Sequence, residues 1–301
     1  MTSEYFEMLR AIAQPIRATD LPHSLDQVQR LLDVIDKPQQ HYPAVVVTGS
    51  TGKGTTCARL AQLLSKAGMK VGLYTSPHLH SFRERFVLLD ESEDSALEMI
   101  SQPEFVGTAR RVLAAERALD TRYSTFETAT AMALTWFAEQ QIEIAVLEVG
   151  IGGRFDAVNA VANQLAVFTP IEAEHVAMLG GSLEAVAWHK AGIIQPNGAA
   201  VSVPQTPEVM AVLRREAKEK TATLEVGDDL LSLITQYTER RWRLKPPAIS
   251  YVATDSKGRP KQIRQAQRSA PPRGLPGRLE QEIINGHSVM IDGGHTPNAA
   301  T

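Results

Sequence analysis

Five short stretches of this chain are largely apolar: Ala44–Thr48, Lys70–Thr75, Glu143–Glu148, Leu165–Thr169 and Ala199–Val203. A strand with one face in water alternates apolar and polar residues. Near-continuous apolar runs of this length predict strands covered on both faces, as in a parallel sheet between helices. Longer segments with helical spacing lie between them. Leu25, Val28, Leu31, Leu32 and Ile35 fall on one face of a helix predicted to begin at Ser24, with Gln27 at capping-box spacing and Pro38 and Pro43 closing it off. Further helices are predicted over Lys53–Ala67, stopped by Gly68, and over Glu127–Gln140, Leu183–Lys190 and Pro207–Lys220. Thr206 caps the last of these and Pro207 is its first residue. Residues 44–75 therefore read as one βαβ unit with a parallel strand pair and a right-handed crossover. The fold class is α/β: a mostly parallel sheet with helices on both faces.

After Val226 the character changes, with Pro246, Pro247, Pro260, Pro271, Pro272 and Pro276 among polar and basic residues. The expected organisation is one large unit over 1–268, ending in a small mixed β region at 227–268, followed by a linker at 269–277. Residues 278–301 then read as the start of a second α/β domain. Leu279–Ile284, Asn285-Gly286 and Ser288–Ile291 form a hairpin pattern. The polar loop Asp292-Gly293-Gly294-His295-Thr296-Pro297 follows; a helix normally comes after such a loop, so the second domain is expected to be incomplete at residue 301.

The hydrophobic content of 43% over 301 residues is enough for a sizeable core, and a net charge of -3 gives no global attraction for nucleic acid or anionic membrane. Arg240 to Arg273 holds ten Lys/Arg against the single acidic Asp255, but only Trp242 and Tyr251 could stack on bases, so it reads as a solvated region. Cys57 is the only cysteine and can form no internal disulfide, which fits a reducing compartment. No segment approaches the roughly eighteen uninterrupted apolar residues of a membrane span. A cytoplasmic monomer that binds small molecules is expected, without nucleic acid or membrane as partner.

The chemistry starts where the first strand ends. Ala44–Thr48 breaks into Gly49, Ser50, Thr51, Gly52, Lys53, Gly54, Thr55 and Thr56 and then into helix-forming sequence. A strand feeding a glycine-rich turn and a helix start aims backbone N–H groups and the positive helix end at one point, where a phosphate can sit. Lys53 supplies a mobile charge and Thr55 a hydroxyl for an accompanying Mg2+. The spacing G-x-x-G-K-G-T is a variant of the commonest phosphate-binding loop. The alternative, a chance Gly/Thr turn, lacks a reason for both the strand before and the helix after.

Other polar clusters also sit at strand ends, where open α/β sheets place their sites. Thr75-Ser76-Pro77-His78-Leu79 ends one strand and Glu148-Val149-Gly150-Ile151-Gly152-Gly153-Arg154-Phe155-Asp156 another. Glu148, a carboxylate at the end of a buried strand facing phosphates, is a natural Mg2+ ligand. Glu174-His175 follows the strand ending at Thr169, and His189-Lys190-Ala191-Gly192 ends a helix. Taken singly, Ser76 could cap a turn, His175 could be a surface histidine and Lys190 could complement a helix C-terminus.

Together these segments resemble the folylpolyglutamate synthase and dihydrofolate synthase family of ATP-dependent Mur-type ligases. The resemblance is carried by TGSTGKGTT, TSPHL, RERF, STFETAT, EVGIGGRFDAVN, EHVAMLGGSLEAVAWHKAGII, LPGRLE and DGGHTPNAA, in family order. It implies that Lys53 and the loop amides hold the phosphates of ATP and that Thr55 and Glu148 act on a first Mg2+. Ser76 and His175 are implied as metal-site residues as well, and Lys190 as the lysine that is carbamylated into an anionic ligand for a second metal. Lys53, Glu148, His175 and Lys190 would then carry the reaction. Asp292 and His295 match residues that reach the nucleotide from a C-terminal domain, and Arg278 lies in the linker motif. Residues Ser76 to Arg85 would line a pterin pocket. The implied activity adds L-glutamate to dihydropteroate, reduced folate or both, through an acyl phosphate made with ATP.

The sequence departs from the family pattern at several points. Thr51 stands where asparagine is usual, Thr55 where serine is, and Glu174 where aspartate precedes the histidine. The adenine-contacting motif G-x-H-Q-x-x-N-A has no equivalent, and most of the glutamate site expected of a C-terminal domain is not encoded. A Mur-type ligase with another acceptor and a non-catalytic nucleotide-binding paralogue or gene fragment therefore stay open at this point.

Overall fold

A computed structural model of the chain describes residues 3–13, 24–90, 97–242, 280–284 and 287–291. Strand β1 (Ala44–Thr48) lies in the middle of an eight-stranded sheet, because its five side chains are all buried and both of its edges are paired. On one side of it runs β5 (Ile144–Glu148), in register Val47 to Glu148, and on the other β6 (Leu165–Phe168), in register Thr48 to Phe168. Beyond β5 come β2 (Val71–Tyr74), then β3 (Phe86–Leu89) and β4 (Glu98–Met99); beyond β6 come β7 (Ala199–Ser202) and β8 (Thr223–Val226). All pairs are parallel except β2–β3 and β3–β4. The α/β class stands, with an antiparallel extension at one edge.

The strand order corrects one expectation. Strands β1 and β2 are parallel but not paired, because β5 is inserted between them. Local sequence shows that a crossover exists; it does not show which later strand enters the gap. The order turns at β1, where the chain builds first towards β2 and later towards β6. Loops that follow β1, β5 and β6 thus emerge side by side at the carboxyl edge, the usual place for a ligand in such a sheet.

Alternate residues of the strands feed two cores. One face carries Val46, Tyr74, Leu147 and Phe168 against α2 (Asp26–Val34), α4 (Gln102–Ala118), α5 (Thr125–Glu139), α6 (Leu183–Ala191) and α7 (Pro207–Glu219). The amphipathic α1 (Ser3–Ile12) adds Tyr5 and Ile12 to this layer. The other face carries Val45, Val47, Leu73, Val146 and Val167 against α3 (Lys53–Lys66) and α8 (Leu230–Trp242). Helices on both faces explain why the strands read as continuous apolar runs.

Helix α8 overturns the mixed β region expected after Val226, within the part of 227–268 that is described. Asp229 starts it by accepting the amide of Ser232 at 3.0 Å. Leu230 and Ile234 bury against the second core, each contributing about 1.5–3 kcal/mol. That burial outweighs the basic composition, and Arg240 lies near the C-terminal end, where a cation complements the helix dipole. The cap expected at Ser24 forms, its Oγ accepting Asp26 N at 2.9 Å, but Gln27 donates to Arg122 O at 2.7 Å, joining α2 to the segment before α5.

Strands β9 (Glu280–Ile284) and β10 (His287–Ile291) pair antiparallel with Ile284 opposite His287, as the hairpin pattern predicts. The linker at 269–277 lies outside the described residues, as does most of the basic stretch. Among the described residues no helix is long and apolar enough to cross a membrane.

Reciprocal capping boxes start α4 (Ser101 with Glu104) and α5 (Ser124 with Glu127). Helix α5 is buried from Glu127 to Phe137, so the box fixes where a core helix begins. Ser124→Ala is expected to lower unfolding stability by about 1 kcal/mol in urea titration; an unchanged midpoint would show that the cap is energetically silent.

Candidate functional site

Strand β1 delivers the chain into the glycine loop through two crowded positions. Gly49 has φ +146°, and a Cβ on it would lie 1.9 Å from Thr169 Oγ1, so contact as well as conformation demands glycine. Ser50 N donates to Pro170 O at 2.7 Å, and Ser50 Oγ donates to Glu172 O at 3.3 Å while accepting Glu172 N at 3.0 Å. Thr51 Oγ1 donates to Glu172 Oε2 at 3.4 Å. The first half of the loop is thereby fastened to the segment that follows β6.

The second half is built differently. Gly52 caps α3 at φ +81°, and a Cβ there would meet nothing within 4 Å. Lys53 arches back over the loop, its Nζ donating to Ser50 O at 3.1 Å. The hydroxyl of Thr55 is buried and makes no hydrogen bond. Gly54 is buried in the first turn and Thr56 N is already bonded to Gly52 O. An open cradle at a helix N-terminus, a lysine beside it and an orphaned hydroxyl are the chemistry a metal-bound phosphate chain needs.

Glu148 closes the neighbouring strand. It is 1% exposed, and its Oε2 accepts Ser76 N at 2.9 Å, tying the end of β2 to the end of β5. From Ser76 the chain folds around Glu84, whose carboxylate accepts the amides of Leu79, His80 and Ser81 at 2.7, 3.0 and 2.7 Å. Arg85 Nε donates to His78 Nδ1 at 3.0 Å, so that nitrogen carries no proton. Burial, and then the Arg85 charge, hold His78 below the usual histidine range. The rings of Phe82, Phe86, Tyr74 and Phe126 pack in sequence behind this segment.

Lys190 is the most unusual group of the site. It projects from the last turn of α6, is 3% exposed, and donates through Nζ to Gly49 O at 2.7 Å. Burial, and then the charge of Lys53, bring its pKa down to about 7, against a partial opposing pull from Glu174 and Asp156. Glu174 places Oε2 4.0 Å from this amine, without a hydrogen bond to it, and Oε1 3.2 Å from His175 Nε2. His175 sits at φ +51° with its side chain 42% exposed. Asp156 accepts Gly150 N, Ile151 N and Val158 N at 3.0, 3.1 and 3.0 Å, which folds the loop after Glu148. Burial pushes its carboxyl up to about 7, resisted by those three bonds and by Lys190.

Four strand ends thus bring the anticipated residues to one edge of the sheet: 49–56 after β1, Glu148 with Ser76 after β5 and β2, and His175 with Lys190 from the segments after β6. Lys190 reaches Gly49 directly, and its charge is coupled to that of Lys53. Arg278, Asp292 and His295 lie outside the described residues. Sequence reasoning assigned no role to Glu172, Asp156 or Arg154. A carboxylate shortly past a strand end, after Phe168 for Glu172 and after Glu148 for Asp156, was the available signal for the first two. Among the described residues no three of His, Cys, Asp and Glu converge. An ion at this edge would therefore draw on hydroxyls, one or two carboxylates, water and phosphate oxygens, which suits Mg2+.

The two loop glycines should respond differently to a methyl group. Gly49→Ala, which must displace Thr169, is expected to destabilise by several kcal/mol, whereas Gly52→Ala should cost only the positive-φ penalty of roughly 1–2 kcal/mol. Urea midpoints of the two variants check this; equal losses would refute the crowding argument.

Comparison with known proteins agrees with this architecture. The family described as "Mur ligase middle domain" matches residues 47–238. The dihydrofolate synthase/folylpolyglutamate synthase of Mycobacterium tuberculosis is 33% identical over 72% of this chain and 46% of its own length. The folylpolyglutamate synthase of Lacticaseibacillus casei is 28% identical over 90% of this chain and 69% of its own. The structure of E. coli FolC in complex with DHPP and ADP superposes with a TM-score of 0.66 at 30% identity, over 75% of this chain and 51% of that one. The chain thus spans about half the length of the first and third of these proteins. With the family model covering most of the sheet and its loops, and a relative at 33% identity beside it, this chain belongs to the Mur ligase middle-domain family.

Proposed function

We propose that this chain is an ATP-dependent ligase that adds L-glutamate to dihydropteroate or a reduced folate. One observation carries the proposal: a buried amine, Lys190, is hydrogen-bonded to the first residue of a phosphate-binding loop whose strand pairs, at Val47, with the strand-end carboxylate Glu148. The names of the relatives supply the substrate class, and the similar E. coli structure is a complex with DHPP and ADP.

In such a reaction the acceptor carboxylate attacks the γ-phosphoryl of ATP to give an acyl phosphate and ADP, and the amine of glutamate then attacks the acyl carbon with release of phosphate. The first step needs charge neutralisation and in-line positioning. Lys53 and the amides at the start of α3 would hold the phosphates, with the Gly52 cradle open to receive them. Thr55, Ser76 and Glu148 would hold Mg2+, which supplies charge neutralisation when bound. The segment Ser76–Arg85, fixed by Glu84, would receive the pterin. His175 and Lys190 would hold a second ion, Lys190 after carbamylation. Arg278, Asp292 and His295 would reach the nucleotide from a second domain beginning near residue 278.

Carbamylation requires a neutral amine to attack carbon dioxide. With a pKa of about 7, half of Lys190 is neutral at pH 7. An ordinary lysine is neutral to about 0.04% there. The site thus raises the reactive fraction by roughly a thousandfold.

The test is mass spectrometry of products after incubation with Mg-ATP, glutamate and either dihydropteroate or tetrahydrofolate. A gain of one glutamyl unit is expected with one acceptor, abolished by Lys53→Ala; no product from either acceptor would defeat the proposal for this chain. In 13C-bicarbonate a carbamate resonance is expected, absent in Lys190→Ala and fading as pH falls below about 7 because the amine protonates. A signal that survives Lys190→Ala would place the modification elsewhere.

A further inference from the structure

The last turn of α6, which carries Lys190, is held by side chains from outside the helix. Four carbonyl groups at or just beyond its end accept from them. Arg154 Nη2 donates to Trp188 O at 3.2 Å, and Asn159 Nδ2 to Gly192 O at 3.2 Å. Asn163 Nδ2 donates to Ile193 O at 2.9 Å, and Lys220 Nζ reaches both Gly192 O at 3.3 Å and Ile194 O at 2.6 Å. Trp188 O is one of the carbonyls that a helix C-terminus leaves without an intrahelical partner, and the other three follow directly after the helix.

Two of the donors are linked through one buried carboxylate. Glu216 of α7 accepts Arg154 Nη2 through Oε2 at 2.7 Å and Lys220 Nζ through Oε1 at 3.0 Å. Arg154 also stacks on the Trp188 ring, Cζ to centroid 4.0 Å, and its backbone N donates to His189 O at 2.6 Å. The backbones meet with no space between them: a Cβ on Gly192 would lie 2.3 Å from Arg154 Cβ. Meanwhile Arg154 Nε is buried without an acceptor, a cost that the rest of the arrangement must offset.

We infer that Arg154 is a positioning residue: clamped by Glu216, it fixes the end of α6 and thereby the place of the Lys190 amine against Gly49. The guanidinium spans Trp188 O, the Trp188 ring and Glu216 together, a planar fork that a lysine cannot reproduce. Arg154 lies in the loop after Glu148, so one residue ties the strand end of β5 to the helix that carries the amine. Its catalytic consequence rests on the function proposed above; its mechanical part does not.

Chemical labelling separates a local clamp from ordinary stabilisation. In Arg154→Met, reductive methylation of Lys190 by formaldehyde and cyanoborohydride is expected to quicken roughly tenfold through local opening, while alkylation of buried Cys57 in α3 stays at the wild-type rate. Glu216→Gln, a milder change, should fall between the two and serves if Arg154→Met does not fold. Equal protection of Lys190 in variant and wild type, or a rise in which Cys57 joins, would overturn the inference. In the ligase assay kcat should fall roughly 10–100-fold with the KM for ATP unchanged, the range seen when a residue supporting a metal ligand is lost. Unchanged kcat with quickened Lys190 labelling would leave the clamp standing and remove Lys190 from the proposed reaction.

Discussion

The site depends on one hydrogen bond that spans 141 residues of sequence, from the amine of Lys190 to the carbonyl of Gly49. An ammonium group is expensive to bury, and here a second cation, Lys53, lies close enough to add to the cost. The fold accepts this because the amine is not left alone: a carbonyl accepts a hydrogen bond from it, and Glu174 and Asp156 supply opposite charge nearby. The result is a lysine suspended between its two protonation states. Such a group is a poor stabiliser and a good nucleophile.

Other features make sense as supports for that arrangement. Gly49 must be glycine because Thr169 occupies the place of its side chain, and the same crowding brings the segments after β1 and β6 together. Ser50 and Glu172 then join these segments with reciprocal bonds, so the loop amides near Gly52 are left as the open part. Asp156 holds the third segment by three backbone amides. Each strand end is thus braced by a polar side chain with a backbone partner, which keeps a site made of loops as rigid as the sheet beneath it.

Much of the fold was legible in the sequence, for a simple reason. Strands such as Ala44–Thr48 are buried on both faces, so their apolar runs are unambiguous, and the glycine loop announces itself by what flanks it. Helix α8 was not legible, since its core contacts, Leu230 and Ile234, are few and its basic residues look like those of a solvated loop. The insertion of β5 between β1 and β2 was also hidden, because pairing between strands about seventy residues apart leaves no local mark. At the site, Lys53, Glu148 and Lys190 could be found as residue types at strand and helix ends. What surrounds them could not: the orphaned Thr55 hydroxyl, the clamp of Arg154 on Glu216 and the depressed pKa of Lys190 exist only once distant segments meet.

The knot of amides gathered by Glu84 has a further meaning for molecular recognition. A segment that must organise around its ligand loses backbone entropy of about 1–2 kcal/mol for every residue it orders. Between Leu79 and Ser81 that entropy has already been surrendered during folding, since one carboxylate fixes three successive N–H groups. A molecule arriving beside His78 and Phe82 therefore meets a surface whose shape is settled beforehand. Its affinity is set by the water it displaces rather than by the disorder it must quench.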